Sequence, residues 1–141
     1  MGPSQARVVA RYADGRVVKG FSERFDPTVD VFLLTRRDAA PGDVPVAVRL
    51  AELKALFFVE DFDGEPDYSE RKEFLQPATG RRLRVRFKDG EELVGTSLTY
   101  DPTRKGFFLF PGDPFSNNNK VFVIAAFVDA VTRADAATGM S

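Results

Sequence analysis

The chain has no cysteine, no histidine and no tryptophan. The first absence excludes disulfides, thiolate zinc sites and cysteine nucleophiles. The second excludes imidazole bases and imidazole metal ligands, and with them any Ser-His-Asp triad. Long apolar runs are also missing. Nothing approaches the ~18 residues of a membrane span, and Met1–Tyr12 lacks the apolar segment of a signal peptide, so the expected location is cytoplasmic. Charge of one sign is absent too: the formal net charge is −1, which argues against a general nucleic-acid coat. No Gly-rich phosphate loop is present. Gly95-Thr96-Ser97 has no preceding lysine and falls inside a strand-like run. The acidic stretch Asp61-Phe62-Asp63-Gly64-Glu65 lacks the ligand spacing of a calcium loop. No catalytic residue, cofactor site or metal site is therefore expected.

What the chain does have is phenylalanine, 14 of them among 141 residues. Phe buries much apolar area and offers no polar handle, so a Phe-rich core, an apolar docking surface, or both are implied.

The chain also repeats itself. Val8–Leu56 laid over Leu83–Val131, at a constant offset of 75 and without a gap, gives 15 identities in 49 positions. Asp14-Gly15 meets Asp89-Gly90, Gly20 meets Gly95, and Asp26-Pro27-Thr28 meets Asp101-Pro102-Thr103. Phe32 and Leu34 meet Phe107 and Leu109, and Val46 and Val48 meet Val121 and Val123. An internal duplication follows.

Each copy reads as five short strands. The first is Arg7–Tyr12 or Arg82–Phe87, with period-two alternation. Asp-Gly then predicts a type I′ hairpin turn. The second strand, Val17–Phe25 or Glu92–Tyr100, carries a glycine at its middle, the mark of a bend or close backbone approach. After the Asp-Pro-Thr turn come Val31–Leu34 or Phe107–Phe110. A further turn at Pro41-Gly42-Asp43 or Asn117-Asn118-Asn119 leads to Val46–Arg49 or Val121–Ile124. One helical turn (50–53, 125–128) precedes the fifth strand, Ala55–Glu60 or Asp129–Arg133. Five strands with a bent second strand and a helical turn before the fifth predict an all-β chain of two tandem SH3-like, Sm-like (Tudor-like) small barrels. Their bounds are 6–60 and 81–134, with an acidic connector over 61–80 and a disordered tail over 135–141. The adjacent pairs Phe57-Phe58 and Phe107-Phe108 must each place one ring on an outer face, forming either the seam between the barrels or a partner site.

Alternation places Arg82, Arg84, Arg86 and Lys88 on one strand face. Such a stripe fits an acidic protein surface or phosphates; its bland alternative is a solvated face paired with Glu91 and Glu92. Arg82, Arg84, Arg86, Lys88, Phe57, Phe108 and Phe110 are the candidate partner-binding residues. Two other readings draw on the same region. Arg82-x3-Arg86 with Asp101-x-Thr103-x2-Gly106 is similar to the cyclic-di-GMP signature of PilZ domains, although Thr103 stands where that motif has Ser. The first copy resembles the Sm motif of RNA-binding rings, but Asp30 replaces its usual Asn and its second Arg-Gly is missing.

A resemblance spanning almost the whole chain rests on Leu53–Val59, Val85–Glu91 and Gly106–Pro111 with Asn117-Asn118. These segments resemble an uncharacterised bacterial family associated with response regulators. That resemblance implies a non-enzymatic adaptor that links a response-regulator receiver domain to a GTP-bound Ras-like GTPase in cell polarity and motility. It further implies recruitment to a cell pole and assistance to nucleotide exchange as part of that complex.

Overall fold

In the computed structural model, residues 6–22, 25–62, 80–112 and 117–133 are described. Most of the connector and the whole tail expected from the sequence lie outside them. The described residues form ten strands and no α-helix. They are β1 (Ala6–Tyr12), β2 (Val17–Ser22), β3 (Val31–Arg36), β4 (Val46–Arg49), β5 (Leu53–Val59), β6 (Arg81–Phe87), β7 (Glu92–Ser97), β8 (Gly106–Pro111), β9 (Asn118–Ile124) and β10 (Val128–Arg133). A single 3-10 turn precedes β5 at Leu50–Glu52 and β10 at Ala125–Phe127. Asn118 and Asn119, expected in a turn, instead open β9.

The register reproduces the duplication. Val8 pairs with Gly20 and Leu83 with Gly95; Phe32 pairs with Val48 and Phe107 with Val123. Turn hydrogen bonds repeat at the same offset: Val29 N–H donates to Asp26 and Arg104 N–H to Asp101, and Leu50 N–H donates to Asp30 and Ala125 N–H to Lys105. The Asp-Gly turns differ from expectation. Only Gly15 (φ 97°) and Gly90 (φ 93°) take the left-handed region, while their aspartates do not. Gly15 N–H donates to Tyr12 and Tyr12 N–H to Arg16, which is a three-residue loop closed by a glycine bulge rather than a type I′ turn. Asp14 and Asp89 serve as acceptors for the N–H groups of Arg16 and Glu91.

All ten strands lie in one antiparallel sheet of order β10-β6-β7-β8-β9-β5-β1-β2-β3-β4. Each half runs fifth strand, first, second, third, fourth, and the halves are joined by β5 against β9. β3 and β8 change partners along their length. Residues 31–34 pair with β4 and 35–36 with β2, as 106–109 pair with β9 and 110–111 with β7. The mid-strand glycines sit beside this hand-over. A Cβ on Gly20 would lie 2.1 Å from the Thr35 carbonyl oxygen, and one on Gly95 2.2 Å from that of Phe110.

The junction explains the burial. One core holds Val8, Ala10, Leu34, Leu56 and Phe58 with Phe122 and Ile124 from the other half. A second holds Leu83, Val85, Phe87, Phe107 and Leu109 with Val9, Ala55, Phe57 and Val59 from the first half. Thus β5 faces one core on each side, and all seven of its residues are buried. A strand covered on both faces needs an unbroken apolar run rather than alternation, and Leu-Lys-Ala-Leu-Phe-Phe-Val supplies one with a single exception.

That exception, Lys54, is bonded across the junction. Its Nζ meets Asp89 Oδ2 at 2.6 Å and also reaches Glu91 Oε1, and it lies 4.9 Å from the centre of the Phe87 ring. The Lys54 hydrogen bond, then the Glu91 backbone N–H, holds the Asp89 carboxyl below its ordinary 3.8. A depressed carboxyl stabilises the fold above its unfolded pKa, and that contribution disappears as pH falls through the folded value. Asp89→Asn with Glu91→Gln is expected to cost about 1–2 kcal/mol at neutral pH, the carboxylates being half in solvent. The Asp89 part of that deficit should shrink as pH falls through its folded value, which lies below 3.8. Urea unfolding of both proteins at neutral pH and at pH 3 checks this.

Candidate functional site

The arginine stripe is where the sequence put it, on β6, and it is largely neutralised. Arg84 Nη1 lies 3.0 Å from Glu92, and Arg86 lies 3.7 Å from Glu92 and 3.9 Å from Asp129. Arg82 is half-buried and Lys88 exposed, its backbone N–H bonded to Phe127. Cross-strand pairing therefore absorbs much of the charge that a partner would need. Glu92 takes the part expected of it, while Glu91 turns to Lys54.

The phenylalanine candidates separate. Phe57 is 5% exposed and packs in the second core. It is a seam residue with no surface to offer, because its strand is covered on both faces. Phe110 is 41% exposed on β8. Phe108 is half-buried and lies in a groove.

That groove, about 460 Å³ in volume, opens beside the β5·β9 junction. Its floor is aromatic. Phe25, delivered by the turn after β2, stands edge-on to Phe108, Phe122 and Phe58 at 6.1, 5.2 and 5.7 Å. Two cations border it. Lys120 Nζ lies 4.9 Å above the Phe58 ring centre and 4.8 Å above that of Phe108. Arg7 donates from Nη1 to the Glu60 carbonyl oxygen at 3.3 Å. Neither makes an ion pair with a carboxylate among the described residues, whereas Arg16, Lys54, Arg84, Arg86, Arg104 and Lys105 all do. Ser22, which is buried, and Asn119 also line the groove.

Both sides of the junction are needed to build this site. β1, β5 and the turn after β2 bring Arg7, Phe58 and Phe25, and β8 and β9 bring Phe108 and Lys120. Phe25, Arg7 and Lys120 were not among the candidate partner-binding residues, and Phe58 entered only through the adjacent pair Phe57-Phe58. The available signal was asymmetry between the copies: Phe58 stands opposite Arg133, and Lys120 opposite Pro45.

Of the residues resembling a cyclic-di-GMP motif, Asp101 and Thr103 form a turn, while Arg82 and Arg86 lie on β6 and Gly106 opens β8. Asp101 Oδ1 accepts from Thr103 N–H at 2.9 Å and from its hydroxyl at 2.7 Å. Asp26 and Thr28 do the same at 2.9 and 2.6 Å in the other half. These bonds, the hydroxyl's first, hold both carboxyls below their ordinary value. Among the described residues no three of His, Cys, Asp or Glu gather to hold a metal ion, and no helix is long and apolar enough to cross a membrane.

No curated protein and no solved structure matches the chain. The profile of DUF6982, a family of unknown function, matches residues 4–134. The chain therefore belongs to that family.

Proposed function

We propose that this protein is a non-enzymatic protein–protein adaptor built from two fused SH3-like, Sm-like small barrels. The single observation that carries the reading is the groove at the junction. Three phenylalanines form its floor, and Arg7 and Lys120 border it with no carboxylate partner among the described residues. An aromatic floor supplies anchor area, and the two cations select an acidic segment and speed its encounter. What supports the small-barrel description is the close backbone approach at Gly20 and Gly95 beside the point where β3 and β8 change partners.

The resemblance to response-regulator-associated proteins supplies the partners to test: a receiver domain and a GTP-bound Ras-like GTPase, joined in polarity and motility control, with nucleotide exchange assisted by the complex. Exchange would then act through the GTPase's own nucleotide site.

Titrating purified receiver domain and GTP-loaded GTPase into the full chain tests this. Arg7→Glu with Lys120→Glu should weaken the acidic partner at least tenfold at low salt, a loss of about 1.4 kcal/mol. Arg84→Glu with Arg86→Glu should change affinity less. Unchanged binding by the Arg7/Lys120 variant, or binding of RNA in place of either protein, would refute the assignment.

A further inference from the structure

We propose that copies of this chain associate head to tail, the β4 edge of one pairing with the β10 edge of the next. The argument comes from the repeat. Inside the chain, the fourth strand of the second half (β9) pairs with the fifth strand of the first (β5). The same two strands of the other halves, β4 and β10, are the ends of the sheet. With no outer partner among the described residues, they are the two halves of a second, unmade junction.

The surface around β4 fits that role. In the second half the outer face of β8 and β9, carrying Phe108, Phe122 and Ile124, is covered by the first half's core. The corresponding face of β3 and β4 carries Leu33, Ala47, Val31 and Arg49. Leu33 is 61% exposed and Val31 42%. Applying the internal register pairs Val131 with Ala47, Ala130 with Val48 and Thr132 with Val46 of the next copy, as Leu56, Ala55 and Phe57 pair with Phe122, Val123 and Val121.

Charge complementarity survives at one of the two partners. Lys54 meets Glu91 and Asp89 across the internal junction. Its repeat equivalent is Asp129, which would meet Arg16 and Asp14, the equivalents of Glu91 and Asp89, on the next copy. Lysine facing glutamate becomes aspartate facing arginine, while Asp14 keeps the sign of Asp89 and already pairs with Arg16 at 2.9 Å, so the reversed pair is the Asp129–Arg16 one. Lys105 and Asp30, which pair at 2.9 Å inside the chain, occupy equivalent positions and would meet again across the new contact.

The intermolecular junction is weaker than the internal one. Arg49 stands for Ile124, Thr132 for Phe57, and Pro45, which has no N–H to donate, for Lys120. Association is therefore concentration-dependent rather than obligate. Because the contact is heterologous, it yields rings or filaments, not two-fold dimers.

Sedimentation velocity on the full chain, from micromolar to millimolar, tests this. The weight-average coefficient should rise with concentration. Leu33→Glu should weaken association about tenfold, while far-UV circular dichroism shows the fold intact. Arg16→Asp or Asp129→Arg alone should weaken it roughly threefold, as expected of an exposed pair, and the double variant should restore it. A coefficient fixed at that of one chain up to millimolar concentration would overturn the proposal. So would association that none of these variants alters, or a double variant no better than the singles.

Discussion

Gly95→Ala is expected to lose about 3–5 kcal/mol of stability, and Gly20→Ala as much. A methyl group at either position would sit 2.2 or 2.1 Å from a main-chain carbonyl oxygen of the adjacent strand. No rotamer relieves that contact, because the obstacle is the Phe110 or Thr35 backbone at the point where β8 or β3 changes partners. The strand must move out, and the core behind it opens. Gly15→Ala makes the control. Its added carbon meets nothing within 4 Å, so only the cost of positive φ applies, about 1 kcal/mol. Thermal melts should place the Gly95 variant roughly 10 °C below the protein and the Gly15 variant only a few degrees below. Equal shifts would mean that the strands do not approach closely at these glycines.

Phe57→Ala is expected to cost about 3–5 kcal/mol, the usual range for emptying a buried aromatic site. The more telling expectation is where the loss appears. Phe57 belongs to the first half by sequence but packs among Leu83, Val85 and Leu109 of the second. Both halves should therefore lose stability together. Leu33→Ala, at an exposed position on β3, should stay within about 0.5 kcal/mol of the parent.

Much of this fold could be read from the residues because the repeat amplified weak signals. One Asp-Gly or one mid-strand glycine says little; the same residues 75 positions apart, in the same order, specify a unit. The 3-10 turns and the fifth strands followed from that alignment. The Asp-Gly turn type did not. Dipeptide preference points to type I′, but Ala13 and Lys88 lengthen the loop by one residue, and the glycine then closes a bulge.

The β5·β9 junction was hidden for a different reason. Pairing between strands of different repeats leaves no local pattern, and an apolar run such as Leu53–Val59 states that both faces are covered without stating by what. The charged stripe on β6 and its pairing with Glu92 across the hairpin were legible, yet the pairing of Arg86 with Asp129 depends on a strand that the sequence does not place beside β6. The groove follows the same logic. Arg7, Phe25, Phe58, Phe108 and Lys120 come from distant segments, and only the fusion of the halves assembles them.

That fusion is the centre of the account, since it creates the doubly covered strand, the Lys54 bridge and the groove. Native-state hydrogen exchange on Phe57→Ala tests it most directly, with amides of β2 and β7 as reporters for the two halves. The account predicts that protection falls by the same free energy in both strands, as in a single cooperative unit. Protection that falls in β2 while β7 remains at the parent level would show two independently stable halves, and would contradict it.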